Sequence, residues 1–230
     1  DVVICESPSY LGAINAFKSY DPRFIEAPTD EHGMIMEELE KILESNDRVK
    51  MIYVIPDFQN PTGRTWPLER RKRFMEIINK HNIVAIEDNP YGELRFEGEM
   101  LPSLKSLDTK GLVVFLGTFS KTFAPGLRIG WVAASPEILE KYIIIKQSAD
   151  LQCSTISQRE LSKFIDIYDF DAHIAKIIKV YRSRRDLMLD GINKYFPENI
   201  SVTHPEGGLF MWVTLPEHCN TKDIMVKCLE

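Results

Sequence analysis

The fold of this 230-residue chain is decided around one stretch, Gly117-Thr118-Phe119-Ser120-Lys121-Thr122-Phe123-Ala124-Pro125-Gly126-Leu127-Arg128-Ile129-Gly130-Trp131. It follows an apolar run, residues 112–116, that is typical of a buried strand. An ammonium group is costly to hold among apolar neighbours, so the lysine at this place indicates an amine used for chemistry. Arg128 lies seven residues further on and offers a planar guanidinium to a phosphate. An amine that can condense with an aldehyde, beside a phosphate-binding arginine, indicates pyridoxal phosphate.

The composition excludes several classes of protein. The length suits one large domain or one and a half, and a hydrophobic content of 44 % supports a sizeable core. A net charge of −6 argues against nucleic acid or an anionic membrane as a partner of this segment. No apolar run approaches the roughly 18–20 residues that cross a bilayer, and no signal peptide is visible. The four cysteines form no CxxC pair, which favours free thiols in the cytoplasm, and the histidines lack metal-site spacing, so no metal is expected.

Strand-like and helix-like segments alternate along the first 135 residues. Predicted strands cover residues 2–6, 23–27, 49–55, 83–87, 112–117 and 128–134, and predicted helices cover 9–19, 34–45 and 67–81. Continuous apolar strands that alternate with helices predict an α/β fold with a mostly parallel sheet and flanking helices.

The pattern changes after residue 135. Helices are predicted over 136–148, 155–168 and 169–195, then strands over 200–203 and 209–215 around Gly207-Gly208, and a helix over 221–230. We therefore expect residues 1–170 to belong to a large domain and 171–230 to be part of a smaller α+β domain. The basic residues of the long helix are predicted to form a solvated face: Lys176, Lys179, Arg182, Arg184 and Arg185.

Three polar motifs follow three of the predicted strands. The first is Asp57-Phe58-Gln59-Asn60-Pro61-Thr62-Gly63, the second is Glu87-Asp88-Asn89-Pro90-Tyr91, and the third is residues 118–128. Each is ordinary by itself, since the first has a turn composition and Asp88 could cap a helix. Ligands of open α/β sheets bind at the carboxyl ends of the strands, so the three motifs are expected to converge on one site.

In this order and spacing, the motifs resemble those of the fold-type I, pyridoxal phosphate-dependent aminotransferases of class I/II. The resemblance extends over essentially all 230 residues. The segments 58–63 and 87–92 are most similar to the subgroup that contains the 2-aminoadipate, kynurenine and aromatic aminotransferases. The family's large domain is the α/β domain expected here.

The resemblance implies which residues would do the chemistry. Lys121 would carry the aldehyde of the cofactor covalently and then act as general base. Asp88 would pair with the pyridine nitrogen and keep it protonated. Asn60 and Tyr91 would donate hydrogen bonds to the phenolic oxygen of the ring. Lys121, Asp88 and Tyr91 are thus the implied catalytic residues.

The remaining implied contacts hold the cofactor in place. Thr118, Ser120 and Arg128 would bind its phosphate, with Thr118 standing where the family usually has serine. Tyr10 would stack on the ring, although a core-packing role for this tyrosine stays open. In the family the bond between Asn60 and Pro61 is typically cis.

The resemblance also implies what these 230 residues lack. The family's phosphate-binding loop, the arginine for the substrate carboxylate and the segment that covers the active site all fall outside the sequence. We therefore expect a piece of a longer protein, inactive or nearly so by itself, and a homodimer when full length. Its substrates would be an amino acid and a 2-oxo acid, and aromatic, branched-chain and 2-aminoadipate donors all remain open.

Two other functions stay open at this stage. A lyase of the same fold type would share the cofactor contacts and differ in substrate contacts. A transcriptional regulator would carry an aminotransferase-like effector domain behind a winged-helix DNA-binding domain, and that domain would precede residue 1.

Overall fold

A six-stranded sheet organises the computed structural model, which describes residues 1–229. The strand order is β2-β1-β5-β6-β7-β8, and only the pairing of β7 with β8 is antiparallel. The predicted α/β fold with a mostly parallel sheet is therefore confirmed. The strands are β1 (Val2–Glu6), β2 (Arg23–Ala27), β3 (Thr29–Asp30), β4 (Gly33–Met34), β5 (Val49–Val54), β6 (Val84–Asp88), β7 (Val113–Thr118), β8 (Gly130–Ala133), β9 (Ser201–Val202) and β10 (Val213–Thr214).

Helices connect the strands and continue after them. They are α1 (Leu11–Lys18), α2 (Met36–Ser45), α3 (Leu68–His81), α4 (Pro136–Ala149), α5 (Thr155–Ile167), α6 (Phe170–Tyr195) and α7 (Thr221–Cys228). Each boundary of α3 has a local cause. Pro67 precedes its first turn, and Asn82 ends it in the left-handed conformation, where the Asn82 N–H donates to the Ile78 carbonyl.

Two separate apolar clusters cover the two faces of the sheet. On one face, α2 and α3 pack against β1, β5 and β6, and Phe74, Ile77 and Ile78 of α3 are fully buried. Each such side chain contributes about 1.5–3 kcal/mol through the area it removes from water. On the other face, Val3, Cys5, Tyr53 and Ile55 pack with α1. These clusters fix the register of the strands, and through it the position of the loops that follow them.

Several predicted boundaries were wrong by a few residues. The first helix begins at Leu11 because Tyr10 is extended, with a ψ of 118°. The second begins at Met36 because Gly33 and Met34 pair with Asp30 and Thr29 in a hairpin that the sequence did not reveal. The last main strand begins at Gly130 because Arg128 is left-handed, with a φ of 56°.

The C-terminal part shows larger differences. The strand predicted over 209–215 is confined to Val213–Thr214, which pairs with Ser201–Val202. The last helix, predicted over 221–230, ends at Cys228, and residue 230 lies outside the described residues. Arg185 is buried rather than solvated, because Glu97 and the Pro205 carbonyl accept its hydrogen bonds. The boundary near residue 170 stays a prediction. Within residues 1–229, no helix has the length and hydropathy needed to cross a membrane.

Candidate active site

The three polar motifs lie at one edge of the sheet. Strands β5, β6 and β7 are parallel neighbours, with Tyr53 paired to Ile86 and Asp88 paired to Leu116. The segments that follow them therefore leave the sheet side by side. The Asn89 N–H also donates to the Leu116 carbonyl at 2.9 Å, which keeps the second motif against the strand that leads into the third.

Asp88 is the last residue of β6, and its carboxylate is held by a neighbouring strand. The Tyr53 hydroxyl of β5 donates a hydrogen bond of 2.6 Å to its Oδ2 atom. Burial raises the pKa of Asp88, and the hydrogen bond from Tyr53 acts in the opposite direction. Within residues 1–229, Asp88 has no salt-bridge partner and its Oδ1 atom makes no hydrogen bond. One carboxylate oxygen is thus left for a ligand.

Tyr91 lies close to Asp88, with Asn60 and Tyr10 beside it. Burial raises the pKa of Tyr91 to about 12, and the neighbouring Asp88 and Tyr10 add to the rise, while a hydrogen bond from Asn60 opposes it. The phenol therefore keeps its proton at neutral pH and remains a hydrogen-bond donor. The structure brings Asn60 and Tyr10 next to Asp88 and Tyr91.

The loop that presents Asn60 is held by buried hydrogen bonds. Gln59 is 2 % exposed, and its Nε2 atom donates to the Pro8 carbonyl at 2.7 Å. Its Oε1 atom accepts from the N–H and the hydroxyl of Thr62 at 2.8 and 2.7 Å. Phe58 is left-handed, with a φ of 52°, a conformation that costs a bulky residue energy and persists only where the surroundings enforce it. The peptide bonds Ser7-Pro8 and Asn60-Pro61 are both cis, as expected for the second.

The segment that contains Lys121 forms a compact loop after β7. The Phe119 N–H donates to the Ile129 carbonyl at 3.1 Å, which closes the loop. Lys121 is partly exposed, and within residues 1–229 its ammonium group has no hydrogen-bond or ion-pair partner. Asp88 thus ends β6 and Lys121 follows the adjacent strand β7, and the amine is available for a ligand.

Two hydroxyl groups and a guanidinium group accompany Lys121. The Thr118 hydroxyl donates to the Ile129 carbonyl at 3.3 Å and accepts from the Ser120 N–H at 3.1 Å. Because the first of these bonds is long, its exchange for an anion costs little. The Arg128 guanidinium is exposed and donates to the Pro125 carbonyl at 3.0 Å, from a left-handed backbone that follows a 3₁₀ turn over Pro125–Leu127. Most of its donors face solvent.

The Tyr10 ring lies against the start of α1. A Cβ atom at Gly12 would come within 2.7 Å of Tyr10 Cε1, so the glycine makes room for the ring. Tyr10 is 41 % exposed. Most of a core tyrosine is buried, so this exposure favours a face that is available to a ligand over a packing role.

The sequence analysis did not identify Tyr53 as a partner of Asp88, although its place in the alternating pattern of β5 was a clue. Tyr53, Ile86 and Asp88 lie on one face of the sheet because paired residues of parallel strands share a face and side chains alternate along each strand. The alternation is visible in the sequence, but the register that places Tyr53 opposite Ile86 is not.

Two other features of the surface lie away from these residues. A groove of about 880 Å³ runs between α6 and the segment 205–213, and none of the predicted site residues lines it. Glu40, Glu44 and His81 could approach one metal ion, but Glu40 already binds Arg73 and Lys80 at 2.6 Å. The carboxylate that would dominate that site is thus neutralised by cations.

Comparisons with known proteins identify the family of the chain. The family described as aminotransferase class I and II matches residues 1–230. The chain belongs to the class I and II aminotransferases. Members of this aminotransferase family and the structural homologues of the chain bind pyridoxal phosphate.

Related aminotransferases cover the whole chain. Aromatic-amino-acid aminotransferase 1 of Thermococcus litoralis is 44 % identical over 233 residues, which is all of this chain and 56 % of that protein. The 2-aminoadipate transaminase of Thermus thermophilus is 36 % identical over 99 % of this chain and 58 % of its own length. The crystal structure of Pyrococcus horikoshii kynurenine aminotransferase, in complex with PMP and kynurenine, superposes with a TM-score of 0.96 at 41 % identity. It covers all of this chain and 58 % of that one.

One class of aminotransferase-like relative is a regulator. The HTH-type transcriptional regulator NorG of Staphylococcus aureus is 31 % identical over 228 residues, which is 99 % of this chain and 51 % of NorG. The chain therefore spans little more than half the length of the relatives that it matches.

Proposed function

We propose that the protein containing this chain transfers an amino group from an amino acid to a 2-oxo acid with pyridoxal phosphate as cofactor. The observation that carries the proposal is the pair formed by Lys121 and Asp88, a free amine after β7 and a partly buried carboxylate at the end of the adjacent strand β6. Homodimerisation and a cytoplasmic location belong to the same proposal.

The donor set fits the chemical groups of pyridoxal phosphate. The cofactor presents an aldehyde, a ring nitrogen, a phenolic oxygen and a phosphate. Facing these, the site offers the unpaired amine of Lys121, the free Oδ1 of Asp88 and the protonated phenol of Tyr91. Ser120 and the solvent-facing donors of Arg128 supply positive and polar contacts for a phosphate.

Each of these residues has a distinct task in the proposed reaction. When bound, the cofactor supplies an aldehyde that takes up the amino group and a ring that accepts electrons from the substrate. Lys121 holds the cofactor and, once its amine is free, moves the proton at the α carbon of the amino acid. Asp88 accepts a hydrogen bond from the ring nitrogen, and its negative charge keeps that nitrogen protonated. Tyr91 and Asn60 donate to the phenolic oxygen and stabilise its negative charge.

Binding and orientation fall to the remaining residues. Arg128 and Ser120 hold the phosphate, and Thr118 joins them when its bond to the Ile129 carbonyl is exchanged. Tyr10 packs its ring on the cofactor and excludes water from one side of it. The nature of the amino donor is set by side chains beyond these residues, and the relatives' names point to aromatic and 2-aminoadipate donors.

A regulator is the second candidate function, and the match to NorG is the observation that favours it. A regulator of this type would keep the cofactor contacts without turnover. The gene sequence upstream of residue 1 separates the two, because a basic helix-turn-helix module there supports the regulator. A lyase is separated by its products, since it releases ammonia where an aminotransferase forms a new amino acid.

The proposal is tested on the full-length protein, because its relatives are nearly twice as long as this chain. The protein is loaded with pyridoxal phosphate, reduced with borohydride and digested, and the labelled peptide is identified by mass spectrometry. We expect the label on Lys121. We also expect Lys121→Ala to lose the label and to lower turnover of amino donors by at least about 10²–10⁴-fold.

Lys163→Ala is the matched control, since Lys163 is an exposed lysine of α5. This variant should keep both the label and the turnover. A wild-type protein that takes up no label on Lys121 overturns the proposal, as does a Lys121→Ala variant with ordinary turnover. Labelling without turnover of any amino donor favours the regulator.

A further inference from the structure

The charge and the orientation of the Asp88 carboxylate depend on one polar side chain. Tyr53 is 1 % exposed, and its hydroxyl donates to Asp88 Oδ2 at 2.6 Å, a length typical of a strong bond to a carboxylate. Within residues 1–229, the Asp88 carboxylate accepts no hydrogen bond from any other side chain. A buried carboxylate without such a donor is forced towards its neutral form.

No ion pair stabilises the Asp88 carboxylate. Among the described residues, no lysine, arginine or histidine nitrogen lies within 4.0 Å of its oxygens. Glu6 and Tyr10, which lie near Tyr53, are acids. The Tyr53 hydroxyl is therefore the side-chain group that stabilises the carboxylate directly.

The phenol is suited to this task because its proton does not leave. Burial raises the pKa of Tyr53 far above its ordinary range, and the charge of Asp88 raises it further. Its ring is fixed by the cluster of Val3, Cys5 and Ile55, and by an edge-to-face contact with Phe17 of α1 at 5.7 Å. A rigid, permanently protonated donor holds the carboxylate in one orientation.

We propose that Tyr53 is a positioning residue of the active site, whose hydroxyl keeps Asp88 ionised and aims its free oxygen at the ring nitrogen of the cofactor. This inference rests on the proposed function. It adds that the electron-accepting power of the ring is set from a neighbouring strand, by a residue that does not touch the cofactor. Loss of the hydroxyl should leave Asp88 in place and make it a weaker partner for the ring nitrogen.

Tyr53→Phe in the full-length, cofactor-loaded protein is the test, because it removes one oxygen and keeps the ring in the cluster. Three quantities are measured against wild type: the absorbance of the bound cofactor as a function of pH, kcat as a function of pH, and the thermal midpoint. We expect the absorbance transition to move to higher pH, because a ring nitrogen that is less firmly protonated leaves the lysine-linked nitrogen more basic. We expect kcat at neutral pH to fall by about tenfold, the effect of losing one charge-assisted hydrogen bond.

The pH profile distinguishes positioning from a merely structural role. In Tyr53→Phe the acidic limb of the profile of kcat against pH should move to higher pH. Part of the lost activity should therefore return at a pH high enough to ionise Asp88. Tyr20→Phe, at a tyrosine that is 84 % exposed, should change none of the three quantities. A Tyr53→Phe protein with an unchanged absorbance titration and an unchanged kcat profile overturns the inference. So does a variant whose only change is a lower thermal midpoint.

Failure of the proposed function gives a different result. In that case the wild-type protein itself shows no covalent label on Lys121 and no pH-dependent cofactor absorbance. If wild type passes both tests and Tyr53→Phe behaves like wild type, only the role of Tyr53 is overturned.

Discussion

Asp57 and Arg71 form a buried, two-pronged ion pair, with the guanidinium nitrogens 2.6 and 3.1 Å from the two carboxylate oxygens. Their side chains are 8 % and 0 % exposed. Arg71 also donates to the carbonyls of Pro56, Trp66 and Pro102, so all five of its N–H groups have acceptors. The pair therefore fastens the start of the Asn60 loop to α3 and to the segment around residue 102.

Removal of Asp57 should destabilise the protein strongly. Asp57→Ala leaves the Arg71 charge buried without its carboxylate, which typically costs about 3–5 kcal/mol. We expect a large drop in the denaturation midpoint of the full-length protein, measured by urea titration. The surface pair of Lys72 and Glu69 is the control, and Glu69→Ala should change stability by less than about 1 kcal/mol.

The double variant Asp57→Ala/Arg71→Met separates the charge from the packing. Because it removes the Arg71 charge together with its carboxylate and fills the space with an apolar side chain, it should recover part of the stability that Asp57→Ala loses. The remaining buried cation, Arg95, lies 3.6 Å from Asp57 in the wild type and keeps its pair with Glu206 at 2.8 Å. If Asp57→Ala is no less stable than Glu69→Ala, the pair does not hold the loop as argued.

Gly63 should tolerate no side chain. Its φ is 69°, and an added Cβ would collide with the Phe210 carbonyl and lie 3.2 Å from Pro205 Cβ. Gly63→Ala should thus lower stability by about 1–3 kcal/mol and weaken cofactor binding through the adjacent Asn60 loop. Gly126→Ala is the matched control, since a Cβ there meets nothing within 4 Å, and thermal melting of both variants checks the difference. Equal melting temperatures for the two would contradict the collision.

Glu6 should make the protein less stable as the pH rises above about 4.5. Burial raises its pKa from 4.5 to about 7, against the hydrogen bonds from the Ile55 N–H and the Trp66 indole. The folded state therefore holds this proton more tightly than the unfolded chain. The resulting stability is fully present below about pH 4.5 and is lost as the pH rises through 7. Glu87, which is also buried with a pKa of about 7, has the same sign.

The pH dependence is checked by measuring the thermal midpoint of the Glu6→Gln protein between about pH 5 and about pH 8, the range in which Glu6 and Glu87 titrate. The variant should be less stable overall, because the amide offers one acceptor fewer, and its midpoint should depend less on pH than that of wild type. Glu99→Gln, at an exposed carboxyl, should leave the slope unchanged. A steeper or equal slope in Glu6→Gln would show that Glu6 is ionised throughout.

Gly12→Ala should separate helix stability from cofactor binding. Alanine is the better helix former by up to about 1 kcal/mol, so α1 should not weaken. The added methyl group displaces the Tyr10 ring, however, and the dissociation constant of pyridoxal phosphate should rise several-fold, as measured by equilibrium dialysis. Tyr10→Phe keeps the ring and should bind normally. If Tyr10→Ala lowers stability and leaves cofactor affinity intact, Tyr10 packs in the core instead of on the cofactor.

Much of the architecture was predictable because it depends on local patterns. Continuous apolar strands and the 3.6-residue period of helices such as α3 are properties of short segments, so the parallel sheet and most elements could be derived without coordinates. The motifs around Asn60, Asp88 and Lys121 could be placed at one edge for the same reason, since each follows a strand. Predicted element boundaries were wrong where the backbone conformation of a single residue sets the start of the element, as at Tyr10 and Arg128.

The sequence by itself determined the class of fold, the family, and the set of side chains at the ends of three strands. Only the tertiary structure decided which groups those side chains meet. Tyr53 reaches Asp88 across 35 residues of sequence, and Arg185 reaches Glu97 across 88, because strand register and helix packing bring them together. Such contacts depend on burial and register, which are set by the whole core, and no local pattern encodes them.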